Sequence, residues 1–184
     1  MALFSSIPQL KDLANELPLF EEKMTQLAGE LNINLNDYPT DHISLRCHEL
    51  KLAEQWRAGL NQCGSCISDN IINGRPIYLF KLNTPLMVLN HTVFIVELPF
   101  PTHKTYLYQG WEHIEQVVSV KPDLLVDSVL SFLPHPLPKS FSIKISEPKG
   151  DKERLPNPTV AVSNGAVTLK YHPYSLQRIV ESEC

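Results

Sequence analysis

The feature that most constrains this chain is an internal repeat. Asp41-His42-Ile43 and Glu112-His113-Ile114 each present an acid, a histidine and an isoleucine, 71 positions apart when counted from His42 to His113. Each triplet opens a segment with the same order of predicted elements, which is the signature of a duplicated structural unit.

In the first segment, residues 41–47 alternate as a strand, with Ile43 and Leu45 on one face and His42, Ser44 and Arg46 on the other. Residues 49–63 carry Ala53, Trp56 and Leu60 at helical spacing, and Gly64 follows as a left-handed cap. Strands over 66–72 and 75–82 flank Asn73-Gly74, a pair suited to a two-residue hairpin, and HTVFIVEL over 91–98 is a further strand closed by Pro99. The second segment begins with a strand over 111–118. A helix then starts at Pro122, shows Leu125, Val129 and Phe132 on one face, and stops at Pro134. Strands over 141–145, 159–162 and 166–171 follow, the last two joined by Asn164-Gly165 in the same hairpin pattern.

Both halves therefore read β-α-β-β-β. Ahead of them, Leu10, Leu13, Leu17, Phe20, Met24, Leu27 and Leu31 recur at helical spacing, predicting one or two amphipathic helices that Pro18 breaks or restarts. The expected class is α+β in a single domain, 1–184. Helices occupy 1–35, one βαβββ module 36–102 and a second 103–184. Residues 137–158, with KGDKERLPNP, have no counterpart in the first half and read as a surface loop or a lid.

Composition narrows the function classes. Of 184 residues, 43% are hydrophobic, enough for a substantial core, and the net charge of −4 offers nucleic acid or an anionic membrane no general attraction. The opening residues lack a basic segment followed by an apolar one, and no apolar run approaches the roughly 20 residues of a membrane span. A cytoplasmic location is expected. Four cysteines are too sparse for a disulfide framework, and Cys63-Gly-Ser-Cys66 lacks a second ligand pair beyond Cys47 and His48 for a zinc site. No GxGxxG, Walker A, HExxH or GxSxG pattern occurs.

What remains is the repeated histidine. If the halves pair about a pseudo-twofold axis, His42 and His113 converge from equivalent slots. Two imidazoles and a carboxylate with open positions suit iron, manganese, nickel or zinc. Glu97 is a carboxylate candidate because it ends an apolar strand, where an unpaired charge would be strongly disfavoured. Glu115 shares a face with His113 and can serve as ligand, base or orienting group. His172 and Lys170 share a face of the last strand, as an acid/base group and an anion-binding group if that face turns inward. Arg46, on the His42 face, can meet a substrate carboxylate.

The stretches DHISLR, NGRPIYLFKL, IVELPFP, GWEHIEQVV, SEPKGDKERLPNPT and KYHPYS resemble the YecM proteins, a bacterial group of unsettled function, over nearly the whole chain. The YecM fold is similar to the vicinal oxygen chelate superfamily of glyoxalases, extradiol dioxygenases, epimerases and antibiotic-resistance proteins. That resemblance implies a cupped, mostly antiparallel, glyoxalase-like sheet and a divalent metal held by first and fourth strands. The implied ligands are His42, His113 and Glu97. The remaining acid of the pattern is replaced by Lys170, Tyr171 and His172, which leaves three ligands and open positions for a bidentate oxygen substrate. A homodimer is the assembly such relatives suggest, although no segment marks an interface.

Two functions follow. One is a metal-dependent isomerase, lyase or oxygenase on a small polar substrate, with Glu115 or His172 moving a proton. The other is a metal-free small-molecule binder using Arg46, Lys170 and aromatic walls at Tyr78 and Trp111.

Overall fold

A computed structural model describes residues 3–147 and 154–182. Two short 3-10 turns, Phe4–Ser6 and Pro8–Leu10, lead into helix α1, Lys11–Leu31. The first βαβββ unit consists of β1 (Thr40–Arg46), α2 (Leu50–Cys63), β2 (Gly64–Ile72), β3 (Arg75–Val88) and β4 (His91–Pro99). The second consists of β5 (Gly110–Val117), α3 (Leu125–Phe132), β6 (Ser142–Ser146), β7 (Thr159–Ser163) and β8 (Thr168–His172). A last helix, α4 (Leu176–Glu181), follows.

All eight strands form one sheet in the order β2-β3-β4-β1-β5-β8-β7-β6. The order reads the same from both edges, module for module, with antiparallel β1 and β5 at the centre. Only β1–β4 and β5–β8 pair in parallel. One face of the sheet carries Ile43, Leu45, Val96, Leu98, Ile114, Leu169 and Tyr171, which pack in one core with Leu13, Met24, Leu27, Trp56, Leu60 and Val129 from the helices. Burying such side chains stabilises the fold by about 1.5–3 kcal/mol each, which holds α1, α2 and α3 on this face.

Helix α1 runs unbroken through Pro18, where the sequence predicts a break or restart. Proline inside a helix costs about 3 kcal/mol, but Leu13, Phe20, Met24, Leu27 and Leu31 are all buried along the same helix and offset it. Gly64 also departs from expectation. Its φ of −159° is extended, and β2 starts there without a left-handed cap. A Cβ on Gly64 would stand 2.6 Å from the Lys81 carbonyl oxygen, so the glycine answers a close approach of β3 rather than a positive φ.

Asn73 and Gly74 have φ of 52° and 77°, as a two-residue hairpin requires. The same geometry recurs at Leu89 (φ 50°) and Asn90 (φ 66°), joining β3 to β4 and making β3 longer than predicted. The left-handed Leu89 is held by its amide, which donates to Glu21 Oε1 at 2.7 Å. The hairpin at Asn164-Gly165 is different. Ser163 pairs with Thr168, leaving a four-residue loop in which Asn164 Oδ1 accepts the amides of Ala166 and Val167. Residues 148–153, the centre of the predicted loop or lid, lie outside the described residues.

Helix α4, unanticipated from the sequence, packs Leu176 and Ile179 on Ile77, Leu79 and Ile95 on the other side of the sheet. It covers part of the first module's share of that face and leaves the rest of the face open. Among the described residues, no helix is long and apolar enough to cross a membrane.

Candidate metal centre

The open face holds a cavity of about 690 Å³ lined by His42, Arg46, Glu97, Glu112, His113, Glu115 and Lys170, among others. Its floor is the junction of β1 and β5, where the two modules meet. His42 lies opposite Glu115, and Ser44 opposite His113.

Two interruptions of that pairing shape the site. Between Thr40–Gln116 and His42–Glu115, Asp41 is an extra residue; between Ser44–His113 and Leu45–Trp111, Glu112 is an extra residue. In a regular strand neighbours point to opposite faces, whereas a bulge re-aims the extra side chain. Each acid thereby reaches its following histidine: Asp41 Oδ2 accepts from His42 Nδ1 at 3.1 Å, and Glu112 Oε2 accepts from His113 Nδ1. A carboxylate on Nδ1 fixes the tautomer that leaves the Nε2 lone pair free once the ring has lost its second proton.

Both Nε2 atoms are buried and have no hydrogen-bond partner among the described residues. Glu115 Oε1 lies 3.7 Å from His42 Nε2 and 3.3 Å from His113 Nε2. The ligand atoms of these three residues all fall within 4.8 Å of one another. Donors placed about 2.0–2.2 Å from a common ion stand roughly 3–3.5 Å apart, so the set fits a divalent ion. Glu97, on β4 opposite Ser44, has Oε1 3.6 Å from His113 Nε2 and accepts from Ser44 Oγ at 2.5 Å. The carboxylate shared by both imidazoles is thus that of Glu115, with Glu97 beside His113 alone.

Lys170 and His172 both face this side. Lys170 Nζ is 3.1 Å from Glu115 Oε1. His172, with no exposed surface, has Nδ1 3.5 Å from Glu115 Oε2 and Nε2 3.6 Å from Asp41 Oδ2. Asp41, His42 and His172 form a second close group. Its Asp41 Oδ2 already accepts from His42 Nδ1 and lies 3.6 Å from His172 Nε2, so as a ligand that carboxylate would give up its hold on the His42 ring.

The electrostatics follow from these neighbours. Burial alone would lower the His42 pKa, but the Glu115 and Asp41 carboxylates outweigh it and hold it up to about 10. Burial opposes ionisation of Glu112 as well, yet His113 and Arg46 bring it down to about 2. Lys170, Glu97 and Glu115 are likewise held charged, against burial, by one another and by the imidazoles. His172 is the exception, because burial keeps its imidazole neutral despite the nearby acids.

Three predicted contact residues stand differently from expectation. Arg46 lines the cavity, but its guanidinium is bound to Glu112 Oε1 at 2.7 Å and stacks 4.7 Å from the Tyr106 ring. Tyr78 and Trp111 do not form cavity walls. Tyr78 is registered with Leu98 and packs on Phe100 and Arg57, and Trp111 is registered with Leu45 and donates Nε1–H to the Leu13 carbonyl. Both therefore belong to the helical side. The aromatic residue that does line the cavity is Tyr106. Cys47, Cys63 and Cys66 are free thiols, and the metal-capable groups among the described residues include none of them.

Comparison with known proteins agrees with this architecture. A family model described as "YecM protein" matches residues 9–183. The chain is 48% identical over 186 residues to Protein YecM of Escherichia coli (strain K12), covering 100% of this chain and 98% of that protein. It is 41% identical over 179 residues to an uncharacterized protein of Haemophilus influenzae, covering 92% of each. A solved structure described as "Structural Genomics, Protein EC4020" matches with a TM-score of 0.93 at 45% identity, over 100% of this chain and 98% of that one.

Proposed function

The chain belongs to the YecM family, and for it we propose a divalent-metal protein of the vicinal oxygen chelate type that acts on a small polar molecule. The observation that supports this reading is the pair of buried Nε2 atoms on His42 and His113, partnerless among the described residues, with Glu115 Oε1 beside both. His42, His113 and Glu115 hold the ion and Glu97 supplies a further oxygen donor. The imidazole and carboxylate mixture suits iron, manganese, nickel or zinc. Such an ion, when bound, polarises substrate oxygens as a Lewis acid.

The chain's own groups do the rest. Asp41 and Glu112 hold the two rings in the ligating tautomer. His172, kept neutral next to Glu115 Oε2, has no exposed surface and lies behind the cavity wall, so it exchanges a proton with a substrate only through Glu115, as an isomerase or lyase requires; an oxygenase would use the same ligands. The buried walls restrict water and strengthen every charge interaction within.

A second reading, a metal-free small-molecule binder, is favoured by Lys170, whose ammonium 3.1 Å from Glu115 already supplies positive charge at the ligand set. Titration with cobalt(II) separates the two. The metal reading expects visible absorption bands saturating at one equivalent and absent from Glu115→Ala; a flat spectrum with the wild-type protein would exclude it.

A further inference from the structure

The cavity is larger than the metal centre, and its outer part has a chemistry of its own. Helix α4 covers part of the first module's side with Leu176 and Ile179, and the cavity extends from Arg75 and Pro99 at its edge across to β6, β7 and β8. That wall is polar, with Ser142, Ser146, Thr159, Ser163 and Thr168 along it. Asn157 stands on the same wall, 7% exposed, and its Oδ1 has no hydrogen-bond partner among the described residues. A buried carbonyl oxygen without a donor is destabilising, and a ligand carrying an O–H or N–H group relieves that cost.

Charge identifies the rest of the ligand. Five cationic side chains line the cavity, Arg46, Arg75, Lys104, Lys144 and Lys170, against three carboxylates, Glu97, Glu112 and Glu115. Arg46 and Lys170 are already engaged with Glu112 and Glu115. Arg75, Lys104 and Lys144 make no ion pair with a described residue and come from three separate segments: the start of β3, the link between β4 and β5, and β6. Arg75 is half-buried and Lys104 and Lys144 are exposed, so the three stand around the mouth of one cavity and give it a positive potential that favours anions, in a chain whose net charge is −4.

We infer that this outer chamber binds a small hydroxylated anion, with its phosphate or carboxylate group among Arg75, Lys104 and Lys144 and its hydroxyl side toward Asn157 and Thr159. The inference rests on the proposed function only for the placement of the molecule's other end at the metal; the anion subsite stands without it. These residues differ from Arg46 and Lys170, the pair expected from sequence to meet substrate, because those two neutralise the acids that orient and complete the ligand set.

The test uses full-length protein stripped of metal with chelator, titrated calorimetrically with inorganic phosphate, malonate, glucose 6-phosphate, glucuronate and neutral glucose. The anions should bind at least ten-fold more tightly than glucose, and whether the phosphate or carboxylate members lead identifies the charged group. In Arg75→Ala/Lys144→Ala that advantage should shrink to two-fold or less, and Asn157→Asp, nearly isosteric but negative, should weaken the anions at least five-fold. Thermal melting of each variant confirms that it is folded. No anion binding to the wild type, binding equal to that of glucose, or binding unchanged in the folded variants would overturn the subsite and leave the metal reading intact. Anion binding retained by His113→Ala, with metal lost, would show the two sites to be separable.

Discussion

Glu97 and Lys170 occupy equivalent places in the two modules. Glu97 lies opposite Ser44, two residues beyond His42, and Lys170 lies opposite Glu115, two residues beyond His113. The pseudo-twofold sheet thus sets an acid against a base at the positions flanking the two imidazoles. An ammonium 3.1 Å from Glu115 Oε1 competes with a cation for the same oxygen and repels it. Replacing Lys170 with Met should therefore raise metal affinity roughly ten-fold or more, and Lys170→Glu, which restores the acid to both modules, should raise it further. Competition against a chromophoric chelator measures both; unchanged or weaker affinity in Lys170→Met would contradict the assignment.

Asp41 and Glu112 touch the proposed ligands only through Nδ1 of the histidine that follows each. Loss of such an orienting carboxylate typically costs about 10–100-fold in metal affinity. Asp41→Asn and Glu112→Gln should each show a loss of that order while melting as cooperatively as the parent. Equal affinity in both variants would mean that the bulged acids serve the fold alone.

The metal-free protein should have a defined pH profile. His42 is raised from 6.5 to about 10, so its contribution to stability is complete below about pH 6.5 and disappears as pH climbs through 10. Asp41, Glu112 and Glu115 are depressed, so theirs is complete above about pH 4.5 and is lost as pH falls through their folded values, about 2 for Glu112. His172, lowered by burial, costs stability as pH falls below 6.5, so denaturant midpoints of chelated protein should peak near pH 6.5. Metal binding must displace the His42 proton, so affinity should rise with pH up to about 10. Affinity independent of pH between 6 and 9 would argue against His42 as a ligand.

Two glycines give opposite expectations. Gly64→Ala would force a Cβ to within 2.6 Å of the Lys81 carbonyl oxygen, between backbones that cannot give, and should destabilise the protein by about 1–3 kcal/mol. Gly29, inside α1 with nothing within 4 Å, should gain roughly 0.5–1 kcal/mol as Ala. Urea denaturation of the two variants reads both signs.

The repeat was legible because an acid-His-Ile triplet at the head of two segments with matching periodicity survives any error in element boundaries. The bulges were not legible. Period-two alternation places Asp41 and Glu112 on the face opposite His42 and His113, and only the β1–β5 register shows each acid to be an extra residue. That same dependence on register misplaced Tyr78 and Trp111, whose face is decided by their partners Leu98 and Leu45 rather than by aromatic character. Lys170 and His172 could be assigned to a common face but not to the inner one until β8 was set parallel to β5. Helix α4 has only six residues, with buried positions at Leu176 and Ile179, too few turns for periodicity to separate it from a loop. Its effect is large, since it closes part of the inner face and ties its first amide to Asp41 at 2.9 Å.

The most direct measurement is the metal content of purified protein, reloaded and dialysed, compared with His42→Ala and His113→Ala. The account predicts one divalent ion per chain in the parent and none in either variant, with all three folded. A parent that stays empty after reloading, or a full complement in either variant, would contradict it.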